Sequence, residues 1–427
     1  MRSLFLLPLL LAFFSAPAQS PKTALLVRAG KLYDAEKNVF LTNQEILVVD
    51  DKIVAVGTKL KRPRNVRVID LPSGTVTPGL IDAHTHLLLN QLFDEQAMAV
   101  ASKIPATERL SKALAFADDY LRVGFTTARD LGNSGQFLDL ELKNRLAKSG
   151  KPALELYGSG PILSPPGGQF GRLYPADSFL INQEYRVIRG ADDAKTAVLE
   201  HIRRGVSVIK VCMNTDNRVL APEEIKAIVA TAHQNKIPVT AHATYDESAR
   251  DAVLAGVDGI EHGYTLSDST LSLMAQRGTY LVPTDPSWTQ GRIRVAAVGM
   301  KGPEGEEYLK QALTGFHDRL QRAHKKGIWL VAGSDYYNNI PNLNRGAGAM
   351  DVLLSYQEAN IPVTTVLQMA TYNAAKVLGI SEQTGVLKPG MKADLVVFDG
   401  DFETNFPQTL SKVKLVLKAG KEVNLTN

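Results

Sequence analysis

Six side chains in this sequence could build a metal centre. Residues 78–86 read Pro78-Gly79-Leu80-Ile81-Asp82-Ala83-His84-Thr85-His86, a mostly apolar run that ends in His-Thr-His. Residues i and i+2 of a strand face the same way, so His84 and His86 project together. Two neutral imidazoles so placed can ligate one metal ion, although the pattern equally fits two ordinary polar residues at a strand end. Lys210 lies in Val206-Ser207-Val208-Ile209-Lys210-Val211-Cys212, an otherwise apolar strand. A buried ammonium without a partner is expensive. Lys210 must therefore snorkel to water, pair with a carboxylate, or be modified and deprotonated at a metal site. His242 ends the run 237–242, His262 follows 257–261, and Asp335 follows 330–334. Taken singly, each histidine could be structural and Asp335 could cap a helix. His201, His233, His317 and His324 fall inside predicted helices and read as structural.

These residues need elements to hold them. The N-terminal part reads as β: short apolar strands at 24–29, 45–49, 53–57 and 65–71, with a tight turn at Asp50-Asp51-Lys52. The C-terminal part has the same style, with strands at 393–398 and 413–417. Neither end has enough strands to close a core alone, so both are expected to pair into one small β-sandwich. Between them, eight strand candidates at 76–82, 125–130, 153–157, 206–212, 238–241, 258–261, 280–282 and 329–332 alternate with helical stretches. Those stretches include 107–123, 138–148, 193–204, 222–235, 248–255 and 307–326. Eight such units over roughly 300 residues match a TIM (β/α)8 barrel, with a doubly wound sheet as the alternative. The predicted division is 19–78 plus 383–427 for the sandwich and 79–382 for the barrel. In a barrel, function sits at the C-terminal rim of the strands, where the six residues fall.

Composition limits the chemistry. The 427 residues contain one cysteine, Cys212, which excludes an intrachain disulfide and a CxxC zinc knuckle. Any metal site must use His, Asp, Glu and Lys. A net charge of +4 with no basic stripe excludes a nucleic-acid footprint. Arg2, an apolar run over 4–14 and Ala16-Pro17-Ala18 have the order of a secretory signal peptide cleaved after Ala18. That run is too short to span a bilayer, so no stable membrane span is expected after leader removal, and the mature protein is expected to be secreted or periplasmic.

The order of the six residues carries more than any one of them. His84 and His86 fall on strand 1, Lys210 on strand 4, His242 and His262 on strands 5 and 6, and Asp335 on strand 8. With this order, and with 124–130, 256–263, 370–379 and 390–398, the sequence resembles the amidohydrolase superfamily over essentially the whole mature chain. It is most similar to the branch of imidazolonepropionase-like proteins and Xaa-Pro or Xaa-Arg dipeptidases. The resemblance implies a TIM barrel with an accessory sandwich and two divalent metal ions, most often zinc. It implies that His84, His86 and Asp335 hold the more buried ion and His242 and His262 the second. Lys210, carboxylated by CO2, would bridge them, which removes the cost of a buried cation. Asp335 would take a proton from the attacking water and pass it to the leaving nitrogen.

Substrate choice is expected from the loops. The long segment 158–190 reads Gly167-Gly168-Gln169 where dipeptidase-like members commonly read GGH, and Asn344-Arg345-Gly346 stands where many have a His-Gly pair. Both departures weigh against a strict dipeptidase. Arg345 or Arg172 could grip a substrate carboxylate, and Tyr245 could bond the reacting carbonyl. The leading expectation is an exported two-metal hydrolase of a C–N amide bond in a peptide-like or N-acyl amino acid substrate. Kept beside it are a single-metal cyclic-amide hydrolase or deaminase of the imidazolonepropionase type, and a catalytically dead binding protein. Members of the superfamily are often oligomeric, so a homo-oligomer is compatible with this reading.

Overall fold

The computed structural model describes residues 24–92, 97–170, 173–215, 218–340 and 343–426. The proposed leader, residues 1–18, lies outside them. The N-terminal β region forms β1 (Ala24–Asp34), β2 (Val39–Val49), β3 (Lys52–Gly57) and β4 (Arg67–Pro78). The central region holds β5 (Leu80–Thr85), β6 (Phe125–Asp130), β7 (Glu155–Gly158), β8 (Ile162–Ser164), β9 (Tyr185–Val187) and β10 (Ile209–Cys212). It continues with β11 (Asn214–Thr215), β12 (Arg218–Val219), β13 (Val239–Ala243), β14 (Gly259–His262) and β15 (Tyr280–Val282). The C-terminal strands are β16 (Leu395–Asp399), β17 (Val413–Lys418) and β18 (Lys421–Glu422).

The two chain ends do pair. They form one seven-stranded mixed sheet in the order β18-β17-β16-β4-β1-β2-β3. The join is antiparallel, β16 on β4, with Leu395 opposite Pro78 and Val397 opposite Val76. The predicted strand 76–82 is in fact two: β4 ends in the terminal sheet and β5 begins the central region. Gly79 lies at the crossing, where a Cβ would sit 2.2 Å from Thr126 Oγ1. No residue with a side chain fits that approach without displacing β6.

Most of the central strands are parallel. β5, β6 and β7 form one set, and β15-β14-β13-β10-β8-β9 another. Segment 329–335, predicted as the eighth strand over 329–332, runs extended beside both. Leu281 N donates to Trp329 O at 3.0 Å on the β15 side, and Ala83 N donates to Ala332 O at 2.9 Å on the β5 side. Ser207 N donates to Gly158 O at 2.9 Å, joining the end of β7 to the chain entering β10. Helices Ala106–Arg122, Leu138–Ala147, Ala191–Arg204, Pro222–Gln234, Asp246–Ala255 and Gly302–Lys325 fall close to the predicted stretches. Each puts an apolar stripe inward, such as Ala194, Ala197 and Val198 of the third. The short strands β8 and β9 arise inside 158–190, which the sequence reading treated as a loop.

A charged cluster ties the terminal sheet to β7. Glu155 accepts from Lys392 Nζ at 3.0 Å and from Lys418 Nζ at 3.1 Å, and Lys418 also reaches Asp394 Oδ2 at 2.7 Å. Burial raises the Glu155 pKa, but the Lys418 and Lys392 charges outweigh it and hold it down at about 2. A depressed carboxylate stabilises the fold above its unfolded pKa, and the gain is lost as pH falls through the folded value. The Glu155 contribution should therefore disappear between about pH 4.5 and about pH 2. Glu155→Gln is expected to cost about 1–3 kcal/mol at pH 7, because it strips an ion pair from two lysines in a partly buried place. Thermal unfolding of the two proteins at pH 7 and pH 3 should show the gap in Tm narrowing at the lower pH. An equal gap at both would refute the charge argument.

Candidate active site

His84, His242 and His262 fall in the last two residues of β5, β13 and β14, His86 follows β5, Lys210 is the second residue of β10, and Asp335 follows the segment 329–334. His84 is in the last turn of pleat of β5, and His86 follows it. Asp335 N donates to His84 O at 2.7 Å, which brings the aspartate over both rings. Its Oδ1 lies 3.1 Å from His86 Nε2 and 3.5 Å from His84 Nε2, and its Oδ2 lies 3.9 Å from His262 Nδ1. One ligand atom from each of His84, His86 and Asp335 falls within 4.8 Å of the others, the spread expected of residues that hold one ion. The His242 and His262 rings meet at 4.5 Å, and His262 lies 5.2 Å from His84.

Three of the four histidines are aimed by a second partner. His84 Nδ1 meets Glu261 Oε2 at 2.7 Å, His86 Nδ1 meets Gly132 O at 2.7 Å, and His262 Nδ1 meets Thr284 Oγ1 at 2.8 Å. A ring nitrogen bonded outward leaves Nε2 facing inward, the arrangement that fixes a ligand's tautomer. Glu261 is itself clamped: its Oε1 accepts from Arg129 Nη2 at 2.9 Å and from Thr240 Oγ1 at 2.5 Å. Arg129 in turn donates to Ala83 O at 2.6 Å and to Tyr280 OH at 3.0 Å.

The electrostatics suit ligands. Burial, with the Lys210 charge behind it, pulls the His84 pKa down to about 4 and His242 to about 3. Burial and the neighbouring His242 hold His262 well below its ordinary value. All three are neutral at pH 7, so their lone pairs are available. His86 differs: burial pulls it down, but the Asp335 carboxylate outweighs that and raises it. Burial would raise Asp335, yet the histidines around it keep it well below the usual carboxylate range.

Lys210 is 2 % exposed, and its Nζ has no hydrogen-bond partner. Burial drops its pKa to about 8 in spite of the Glu261 and Asp335 charges. It lines a cavity of about 380 Å³ together with His84, His86, His242, His262 and Asp335. Thr284, His262 and Asp335 have φ of 58°, 74° and 48°. Left-handed backbone at three non-glycine residues costs energy and tends to gather where function requires it.

Comparison with known proteins decides the family. Residues 75–423 match the amidohydrolase family. The chain belongs to the amidohydrolase family. This amidohydrolase is 27% identical over 382 residues to the ochratoxinase of Aspergillus niger, covering 83% of this chain and 77% of that protein. A solved amidohydrolase structure is 28% identical, covers 94% of this chain and 98% of the other, and superposes with a TM-score of 0.80. A solved prolidase in complex with N-methylphosphonate-L-proline is 26% identical over 94% of this chain and 99% of that one, with a TM-score of 0.79. The amidohydrolase is thus a metal-dependent hydrolase of carbon–nitrogen bonds.

The loop candidates fare differently. Tyr245 is 55% exposed, precedes helix Asp246–Ala255 and does not line the amidohydrolase's cavity. Arg345 is buried, but its guanidinium donates to Leu89 O at 2.6 Å and lies 4.2 Å over Phe116. It fastens two loops and has no fork left for a substrate. Asn344 accepts from Ala347 N at 2.7 Å and caps helix Arg345–Glu358. Arg172 lies outside the described residues.

Sequence reasoning missed Glu261, Arg129, Tyr264, Tyr337 and Gln91, of which the last three line the cavity. The first two carried no local signal as clear as that of Lys210, because Arg129 stands beside Thr126, Thr127 and Asp130, and Glu261 between Asp258 and His262. Gln169 was singled out only as a departure from GGH, and the structure brings it to the cavity wall.

Proposed function

We propose that this amidohydrolase is an exported two-metal enzyme that cleaves the C–N amide bond of a peptide-like or N-acyl amino acid substrate. The observation that carries it is Lys210: a fully buried amine with no partner, beside His242 and His262. A lysine there makes sense if its neutral amine adds to CO2, loses a proton and becomes an anionic carbamate. The residues present then fit two divalent ions, with His84, His86 and Asp335 on one, His242 and His262 on the other, and Lys210 shared. Zinc suits such His and carboxylate donors. A single-metal cyclic-amide hydrolase has no need of this lysine. The resemblance to a prolidase bound to a proline derivative favours a peptide-like substrate.

We also read the central strands as a closed eight-stranded barrel. The bonds from segment 329–335 to both neighbours and from Ser207 to Gly158 support closure. The leader-like N-terminus supports export, and among the described residues no helix is long and apolar enough to cross a membrane.

Divalent ions held at such a site polarise a carbonyl and lower the pKa of water towards ~7. The chain's own part is positional and acid–base. Glu261 holds the His84 ring, and Arg129 holds Glu261. Asp335, ionised in the resting site, would take on a carboxylate oxygen the proton that the attacking water gives up as its oxygen bonds the carbonyl carbon, and deliver it to the nitrogen as the C–N bond breaks. Leu89, Met98 and Ile162 give the cavity an apolar side that limits water around the reacting bond.

Metal analysis of the purified protein, followed by a screen against dipeptides, N-acyl amino acids, lactams and lactones, tests this. Close to two equivalents of zinc and turnover of open-chain amides are expected. One equivalent, or activity confined to lactones, would overturn it.

A further inference from the structure

Asn133 is fixed at every polar atom but one. It follows Gly132, whose carbonyl meets His86 Nδ1 at 2.7 Å, so it stands next to the proposed metal centre. Its own carbonyl accepts from Arg109 Nη2 at 2.7 Å, and Arg109 Nη1 is clamped by Glu184 at 2.6 Å. Glu184 also accepts from Gly135 N at 2.8 Å, which pins the chain two residues further on. Asn133 has a φ of 54°, left-handed backbone that asparagine tolerates better than most residues. Its side-chain Oδ1 accepts from the buried Tyr185 OH at 2.7 Å. Asn133 is 7% exposed and lines the cavity. That leaves Nδ2, which donates to no described residue, as the free end of a rigidly held amide on the cavity wall. A side chain so buried ordinarily satisfies its donors, so this one calls for an acceptor from the cavity.

Gln169 stands on the same wall, and its Oε1 lies 3.5 Å from the same Tyr185 hydroxyl. The Tyr185 ring packs edge-on against Phe170 at 5.7 Å, so the phenol is a fixed post between the two amides. Both turn their oxygen to it, and both keep their NH2 group for something else. Two neutral donors suit an uncharged carbonyl oxygen. A carboxylate would find no spare cation there. Among the described residues that line the cavity, only Lys210 and the four histidines can carry positive charge, and the proposed metal centre uses all five. Resting on the amide-hydrolase reading, we propose that Asn133, with Gln169 beside it, donates to a second, uncharged carbonyl of the substrate. The enzyme then favours peptide-like amides, in which a further amide follows the scissile one, over the corresponding free acids.

The test uses three compounds that share a scissile bond and a side chain: N-acetyl-L-leucinamide, N-acetyl-L-leucine and N-isopentylacetamide, which lacks the second carbonyl. The wild type should cleave the carboxamide at least as well as the acid and better than the isopentyl compound. Asn133→Asp keeps the shape, the acceptor for Tyr185 and the tolerance of positive φ, but replaces the free donor with an acceptor. It should lower kcat/KM for the carboxamide by roughly 10- to 100-fold, mainly through KM, as loss of a buried hydrogen bond implies. The isopentyl compound should lose no more than about threefold, with metal content and Tm held. Gln169→Glu should act in the same direction and more weakly. Equal losses on the carboxamide and the isopentyl compound would mean that Asn133 only braces the loop, and would overturn the proposal, as would a wild type that needs the free acid. If the wild type cleaves none of the three, the amide-hydrolase reading has failed, and calorimetry of the same compounds decides on Asn133 alone. Tighter binding of the carboxamide than of the isopentyl compound, lost in Asn133→Asp, supports the assignment; equal binding of the two, or none, overturns it.

Discussion

Lys210→Ala is expected to lower turnover by roughly 10³-fold or more and to cut bound metal from near two equivalents to one or fewer. The change removes the one residue shared between the two proposed ions. It also has an opposite effect on the metal-free protein. There the Lys210 amine is buried and unpaired, with its pKa pulled down to about 8 by burial. Deleting a buried cation that has no hydrogen-bond partner relieves a desolvation cost, so the metal-free variant should melt no lower than the metal-free parent. A lysine with a merely structural role predicts the reverse, a lower Tm and unchanged metal. Plasma emission analysis and calorimetry on the two apo and two loaded proteins separate the cases. Unchanged turnover in the variant would end the bridging assignment.

The parts of this molecule that could be read from the sequence are those where chemistry and periodicity conflict. Lys210 stood out because an ammonium does not belong in Val206–Cys212, and His84 and His86 because they share one side of a strand. The strand order of these residues pointed to the amidohydrolase family, which residues 75–423 match. Residues whose meaning depends on distant partners were opaque. Glu261 matters because His84, 177 positions earlier, turns its Nδ1 to it. Nothing local announces that pairing. Arg345 misled for the same reason: an arginine in a rim loop can face a substrate or fold back on Leu89 and Phe116, and only packing chooses. The crossing at Gly79 was hidden because β4 and β5 form one apolar run, divided only where Thr126 leaves no room for a side chain.

Asp335→Asn should be as damaging as loss of Lys210, and it can separate two roles that the geometry superimposes. The carboxylate lies within 3.1 Å of His86 and 3.5 Å of His84, and the ring of histidines keeps it ionised in spite of burial. Asparagine has the same shape and tolerates the positive φ of 48° at this position, so the backbone should survive the exchange. Alanine would add strain there and blur the result. The amide cannot accept a proton near neutral pH and is a poorer ligand. Turnover should fall by roughly 10³-fold or more, judged from what general acid–base groups and electrostatic ligands contribute. If metal content falls by about one equivalent, the carboxylate acts first as a ligand. If both equivalents stay and only turnover is lost, the proton transfer is its main task. Retention of both metal and turnover would remove Asp335 from the mechanism, since neither role could then depend on its charge.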